Sequence, residues 1–303
     1  MARRGAAAAR GAGPGPAALF SPWRHAFFCR AFARHARRHL RAVRLAAWGV
    51  PEAGWDGPLV VYANHPSWWD GVAFLLLADA LFPGRRMMTP MDAEALAKYG
   101  FMRRIGVFGV AQHSVLGALA FLRVAEEVLA LPGHMLWLNA PGRFVDVRQR
   151  PVPIAPGLVR LAELAPRARF LPLALEYPFW SEQAPEMLAA FGPPLEGAAL
   201  AAMDRVAREA ALARALEAVM DRLATDAMAR DPSRFLPVLR GRAGMGGVYQ
   251  VWRRLGALVR GRRFDPRHDP RADGLEGGEN MVSKGPSAFG GGFKGGKAPL
   301  GRR

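Results

Sequence analysis

The stretch that decides the fold is "LVVYANHPSWWD", residues 59–70. Its first five residues form an unbroken apolar run, the pattern of a strand covered on both faces. The segment after it, "SWWDGVAFLLLADALF" at 67–82, has helical length and stops at Pro83-Gly84. A strand running straight into a helix, with a histidine and an aspartate at the junction, places those two side chains where ligands sit in open α/β sheets.

The same alternation continues outward. "RRMMTP" (85–90) reads as a second strand, followed by helical "MDAEALAKYG". Ser114 is a good N-cap for "VLGALAFLRVAEEVLAL", whose apolar residues fall near one helical face. "HMLWLNA" (134–140) and "RFLPLALEY" (169–177) read as buried strands, with helical "GLVRLAELA" (157–165) between them and a long amphipathic helix over about 199–229. Strands alternating with helices predict a single α/β domain over 51–230, with a mostly parallel central sheet flanked by helices.

The flanks have a different composition. Residues 1–50 hold 10 Lys/Arg and no Asp/Glu, residues 230–303 hold 16 against 6, and the middle holds 16 against 19. Such basic ends suit an anionic partner, either a phospholipid surface or nucleic acid. "SPWRHAFFCRAFARHARRHLRAVRLAAW" predicts a basic amphipathic helix within residues 21–50, which could lie on a membrane or pack on the domain. Residues 231–264 read as a second basic amphipathic segment. There Val248, Val251, Trp252, Leu255, Leu258 and Val259 form an apolar stripe among arginines. Residues 1–20 and 265–303 are Gly/Pro/Ala-rich and are expected to be disordered tails.

No segment has the roughly 18 consecutive apolar residues of a membrane span. The N-terminus is too broken by Pro and Gly for a secretory signal. The expectation is a cytoplasmic protein held peripherally on the inner face of the membrane. No nucleic-acid-binding module or Gly-rich phosphate loop is recognisable. Cys29 is the sole cysteine, so no intrachain disulfide framework or cysteine-rich zinc site can form. His35 and His39 lie in an arginine-dense stretch without a nearby carboxylate, the pattern of a solvated face, and no metal site is expected.

His65 and Asp70 admit two readings. Asp70 could simply favour the helix start through the dipole while His65 packs. Alternatively the bend of the loop returns the carboxylate to the imidazole, fixing its tautomer and leaving the other nitrogen to take a proton from a hydroxyl. Arg143, beside Gly142 and after a strand, could hold a phosphate through its planar fork, or pair with Asp146 at the surface. Arg148 and Arg150 could add to it or belong to a solvated turn.

At Asn64, His65 and Asp70 the chain resembles the glycerolipid acyltransferases, the lysophospholipid or 1-acylglycerol-3-phosphate acyltransferase-like family, whose first motif is Asn-His, four residues, then Asp. "GVFGVAQHS" (106–114) stands where that family has a glycine-led segment ending in arginine, here Gln112 with His113 beside it. "WLNAPGRFVD" (137–146) stands at its Pro-Glu-Gly-Thr-Arg block, with Gly142 matching, Pro141 in place of the glutamate and Arg143 one position early. "FLPLALEYPFW" (170–180) resembles the fourth block, with Pro172.

The resemblance implies transfer of a fatty acyl group to a lipid hydroxyl in phospholipid biosynthesis. The donor would be an acyl thioester, acyl-CoA or acyl-carrier protein, with no tightly bound cofactor. His65 would be the base and Asp70 its orienting partner, while Asn64, Gly142 and Arg143 would meet substrate. The altered second and third motifs leave a further expectation, a catalytically weak or inactive lipid-binding member of the same family.

Overall fold

The computed structural model describes residues 15–112 and 114–242. It forms one α/β domain around a nine-stranded sheet. In chain order, α1 (Pro22–His39) precedes strands β1 (Ala42–Ala46) and β2 (Leu59–Ala63). Then come α2 (Asp70–Leu81), β3 (Arg86–Asp92), α3 (Ala93–Lys98), β4 (Val107–Val110), α4 (Val115–Ala130) and β5 (His134–Asn139). The chain continues through α5 (Pro156–Leu164), β6 (Arg169–Glu176), β7 (Glu186–Phe191), β8 (Leu195–Glu196), α6 (Gly197–Ala201), α7 (Arg205–Ala229) and β9 (Phe235–Arg240).

The strand order is β4-β3-β5-β2-β6-β7-β1-β9, with β8 alongside β6. The five strands from β4 to β6 are mutually parallel. β7 runs against β6, β1 runs parallel to β7, and β9 runs against β1. The continuous apolar runs follow from this layering, because both faces of the sheet are covered. Val60 and Tyr62 of β2 enter a core with Phe121 of α4, Leu158 of α5 and Leu216 of α7, whereas Leu59, Val61 and Ala63 enter the opposite core with α1 and α2. Adjacent strand residues thus serve different cores.

Helix α2 is buried at every position from Val72 to Ala78. A helix apolar all round needs cover on both sides. The sheet supplies one side, and α1 packs over the other with Cys29, Ala33, Ala36 and Leu40 buried on one stripe.

The N-terminal expectation is corrected here. The helix expected over residues 21–48 stops at His39, and residues 42–46 are a fully buried strand inside the sheet, between β7 and β9. Arg44 tolerates burial because its Nε donates to Glu186 Oε2 at 2.9 Å, so this stretch belongs to the domain rather than to a separate unit. Residues 15–20, expected in the tail, are also built in. Pro16–Leu19 make a short 3-10 turn and Phe20 packs on the core.

The helix expected over 199–229 is broken into α6 and α7, with Asp204 capping the second through Ala207 N–H at 2.8 Å. β4 and β7 lie in stretches with no strand expectation, and the expected boundary at residue 230 is corrected too, since residues 235–240 of the expected basic segment form β9, paired with β1 in the sheet. The rest of the tails and the apolar stripe at 248–259 lie outside the described residues. No helix among the described residues is long and apolar enough to cross a membrane.

Candidate active site

The five parallel strands end at one edge of the sheet, and segments following β2, β4, β5 and β6 gather there. β2 and β5 are neighbours, yet the helix after β2 packs on one face of the sheet and α5, after β5, on the other. Chain connections that diverge to opposite faces leave a crevice outside the strand ends, the usual ligand position of such sheets. His65 follows β2 on one side of it, and residues 140–146 follow β5 on the other.

The helix expected over 67–82 begins at Asp70, three residues late. Residues 64–69 instead form a turn. Asp70 N–H bonds Ser67 C=O at 3.2 Å, and Ser67 N–H donates back to Asp70 Oδ2 at 3.2 Å. This turn brings the carboxylate to the imidazole, with His65 Nδ1 2.5 Å from Asp70 Oδ2. Asp70 is 0 % exposed, and the His65 side chain retains 18 % exposure.

Tyr177, just past the end of β6, donates its hydroxyl to Asp70 Oδ1 at 2.6 Å. Burial, and then the neighbouring Asp70 charge, push the phenol far above its ordinary pKa, so it remains a donor. The Ser67 N–H, the Tyr177 hydroxyl and the His65 ring thus converge on one buried carboxylate. With Nδ1 bound to Asp70, Nε2 is the nitrogen that can accept a proton from a substrate hydroxyl.

Asn64 is expected at the substrate, but both ends of its amide bond the backbone of Leu175. Nδ2 donates to the carbonyl at 2.9 Å and Oδ1 accepts from the N–H at 2.8 Å. Its role is to clamp the end of β2 to β6, and it is buried there.

Gly142 adopts φ +66°, a left-handed conformation that favours glycine, and its N–H closes a turn onto Asn139 C=O at 3.0 Å. The turn sends the chain back toward His65, where Val145 N–H donates to His65 C=O at 2.9 Å. Phe144 stacks on the imidazole with ring centroids 4.2 Å apart. Arg143 is exposed beside it and does not pair with Asp146, whose carboxylate is taken by Arg148 at 2.9 and 2.8 Å. Arg150 pairs with Asp221 on α7.

Gln112, just past β4, is exposed at the same edge, and His113 lies outside the described residues. His35 and His39 are exposed on α1, where His35 stacks on Trp69 at 5.4 Å, next to Asp70. Tyr177 and Phe144 carry no local signal of their roles, which depend on tertiary neighbours.

A cavity of about 670 Å³ opens at the opposite edge of the sheet, bounded by Trp48, Trp55, Leu59, Arg169 and Phe191. None of the residues around His65 lines it. Compared with models of known protein families the chain matches none, and no curated protein matches it.

Proposed function

We propose that the protein is an O-acyltransferase of the glycerolipid type, moving a fatty acyl group from an acyl-CoA or acyl-carrier-protein thioester to the hydroxyl of a lysophospholipid or related lipid. The observation that carries this reading is the 2.5 Å contact between His65 Nδ1 and an Asp70 carboxylate that is fully buried and held by Tyr177 and Ser67. His65 Nε2 takes the proton of the acceptor hydroxyl as its oxygen attacks the thioester carbonyl. The tetrahedral intermediate collapses, and the departing thiolate receives that proton from the imidazolium. Asp70 stabilises the imidazolium formed in between.

Arg143, exposed at the rim of the crevice, is suited to an anionic headgroup. Gln112 adds no second cation, so acceptors need not be phosphate monoesters. The outer face of α1, with Trp23 68 % and Phe27 59 % exposed among Arg24, Arg30 and Arg34, is suited to an anionic membrane surface.

The test is acyl transfer by the purified protein from acyl-CoA and acyl-carrier protein to lysophospholipids. His65→Ala is expected to lower the rate on the order of 10² to 10⁴-fold, as for loss of a general base. Arg143→Ala is expected to raise KM for phosphate-bearing acceptors without matching that loss. Transfer by His65→Ala at the wild-type rate would sink the mechanism. A second reading, lipid binding without turnover, is favoured by the Phe144 ring stacked on the imidazole. It predicts lysophospholipid binding with no product from any donor.

A further inference from the structure

Away from the crevice, α1 and α2 bring together three side chains of metal-ligating type: His25, Cys29 and Asp79. We propose that they bind a divalent transition-metal ion of the zinc class, which clasps α1 to α2. The proposal is independent of the acyltransferase reading. Asp79 and Asp70 stand near opposite ends of α2, nine residues or about 13 Å apart along the helix axis.

The geometry starts from the helix. His25 and Cys29 are four residues apart on α1, so their side chains share a face one turn apart. Cys29 Sγ lies 3.6 Å from His25 Nδ1. A tetrahedral zinc ion with Zn–S of about 2.3 Å and Zn–N of about 2.1 Å separates those two ligand atoms by about 3.6 Å. The S–N separation therefore suits a shared ion, and because Sγ lies almost as near Nε2, at 3.8 Å, the imidazole must turn to aim one nitrogen lone pair at the ion. An oxygen of Asp79 completes the group, with all three ligand atoms within 4.8 Å of one another. Asp79 is exposed and forms no salt bridge with Lys or Arg among the described residues, so its side chain can turn inward to close the remaining gap.

The electrostatics point the same way. Asp79 occupies the last turn of α2, where the helix dipole disfavours a negative charge, and no basic residue accompanies it in that turn. A cation there offsets both. On binding, M–S, M–N and M–O bonds form and the thiol S–H breaks, its proton leaving to solvent. One thiolate, one imidazole and one carboxylate suit zinc or cobalt better than magnesium or calcium, which take oxygen ligands. The fourth position opens on the Asp79 side, where solvent can supply a water.

The experiment titrates cobalt(II), and separately zinc(II), into the full-length protein after chelator treatment. One equivalent of cobalt is expected to produce a thiolate-to-cobalt charge-transfer band. Cys29 is the only cysteine of the chain, so a band of that kind reports on it alone. Cys29→Ser should abolish the band, and Asp79→Asn, an exposed change, should weaken affinity by about tenfold or more. Zinc at about 100 times the wild-type Kd should raise the melting temperature by roughly 5 to 10 °C, and at the same zinc concentration Asp79→Asn should show at most about half that shift. His35→Ala should leave the band unchanged, which separates this site from the His35 and His39 pair. The proposal is overturned if cobalt gives no charge-transfer band, if Asp79→Asn binds as tightly as the wild type, or if His35→Ala removes the signal.

Discussion

Asp70→Asn separates charge from packing at the reactive pair. In the wild type, Asp70 Oδ2 faces His65 Nδ1 and Ser67 N–H, and Oδ1 accepts from the Tyr177 hydroxyl. An amide can keep its oxygen at the first position and turn its NH2 toward Tyr177. That hydroxyl both donates and accepts, so it can reverse its role. The fold then loses only the charge-assisted part of these bonds, about 1 kcal/mol, and the melting temperature should fall by less than about 5 °C. Catalysis loses more. An imidazolium and a carboxylate centred about 4 Å apart attract by roughly 4 kcal/mol at an effective dielectric of about 20. The amide removes that attraction in the transition state, and about 1.36 kcal/mol per tenfold gives a loss of roughly 10³ in rate. The assay compares kcat/KM for acyl transfer with the melting temperature of the same preparation. A folded variant within about tenfold of the wild-type kcat/KM would reduce Asp70 to a group that favours the helix start and refute this account.

Two further outcomes test the surroundings. Asn64→Ala leaves the N–H and C=O of Leu175 without their partner, costing about 2 to 5 kcal/mol and lowering the melting temperature by roughly 4 to 20 °C with KM little changed; an unaltered melting temperature would argue against the clamp. Sedimentation with anionic vesicles should fall with added salt and be weakened about tenfold or more by Trp23→Ser with Phe27→Ser, and equal sedimentation of the variant would remove α1 from membrane contact.

How far the sequence could be read depended on where each signal resides. β2, β5 and β6 are legible because strands covered on both faces keep unbroken apolar runs, and α4 because Ser114 caps it through Gly117 N–H at 3.3 Å. β1 is not legible, since Arg41 and Arg44 mimic the polar positions of a helix. The distant Glu186 is what lets Arg44 be buried, and no local pattern shows it. β7 follows "SEQAP", whose polar and proline residues look like loop. At the candidate site, the His65 and Asp70 pair is a local feature and could be read locally. Tyr177 is 107 residues from Asp70, and the crevice depends on which face each helix takes, which no local pattern encodes. Asp79 likewise joins His25 and Cys29 only through the packing of α1 on α2.

The place of β1 in the sheet has a consequence for synthesis. Val43 pairs with Met187 on one side and Leu239 on the other, so one of the first strands to leave the ribosome is among the last to find both neighbours. Until residue 240 emerges, its apolar side chains lack their final cover, and contacts this distant in sequence form slowly. The parallel strands from β2 to β6 can pair earlier. The apolar residues of β1 therefore stay without their sheet neighbours until residue 240 has emerged, a transient exposure that favours aggregation of the nascent chain over that of the finished protein.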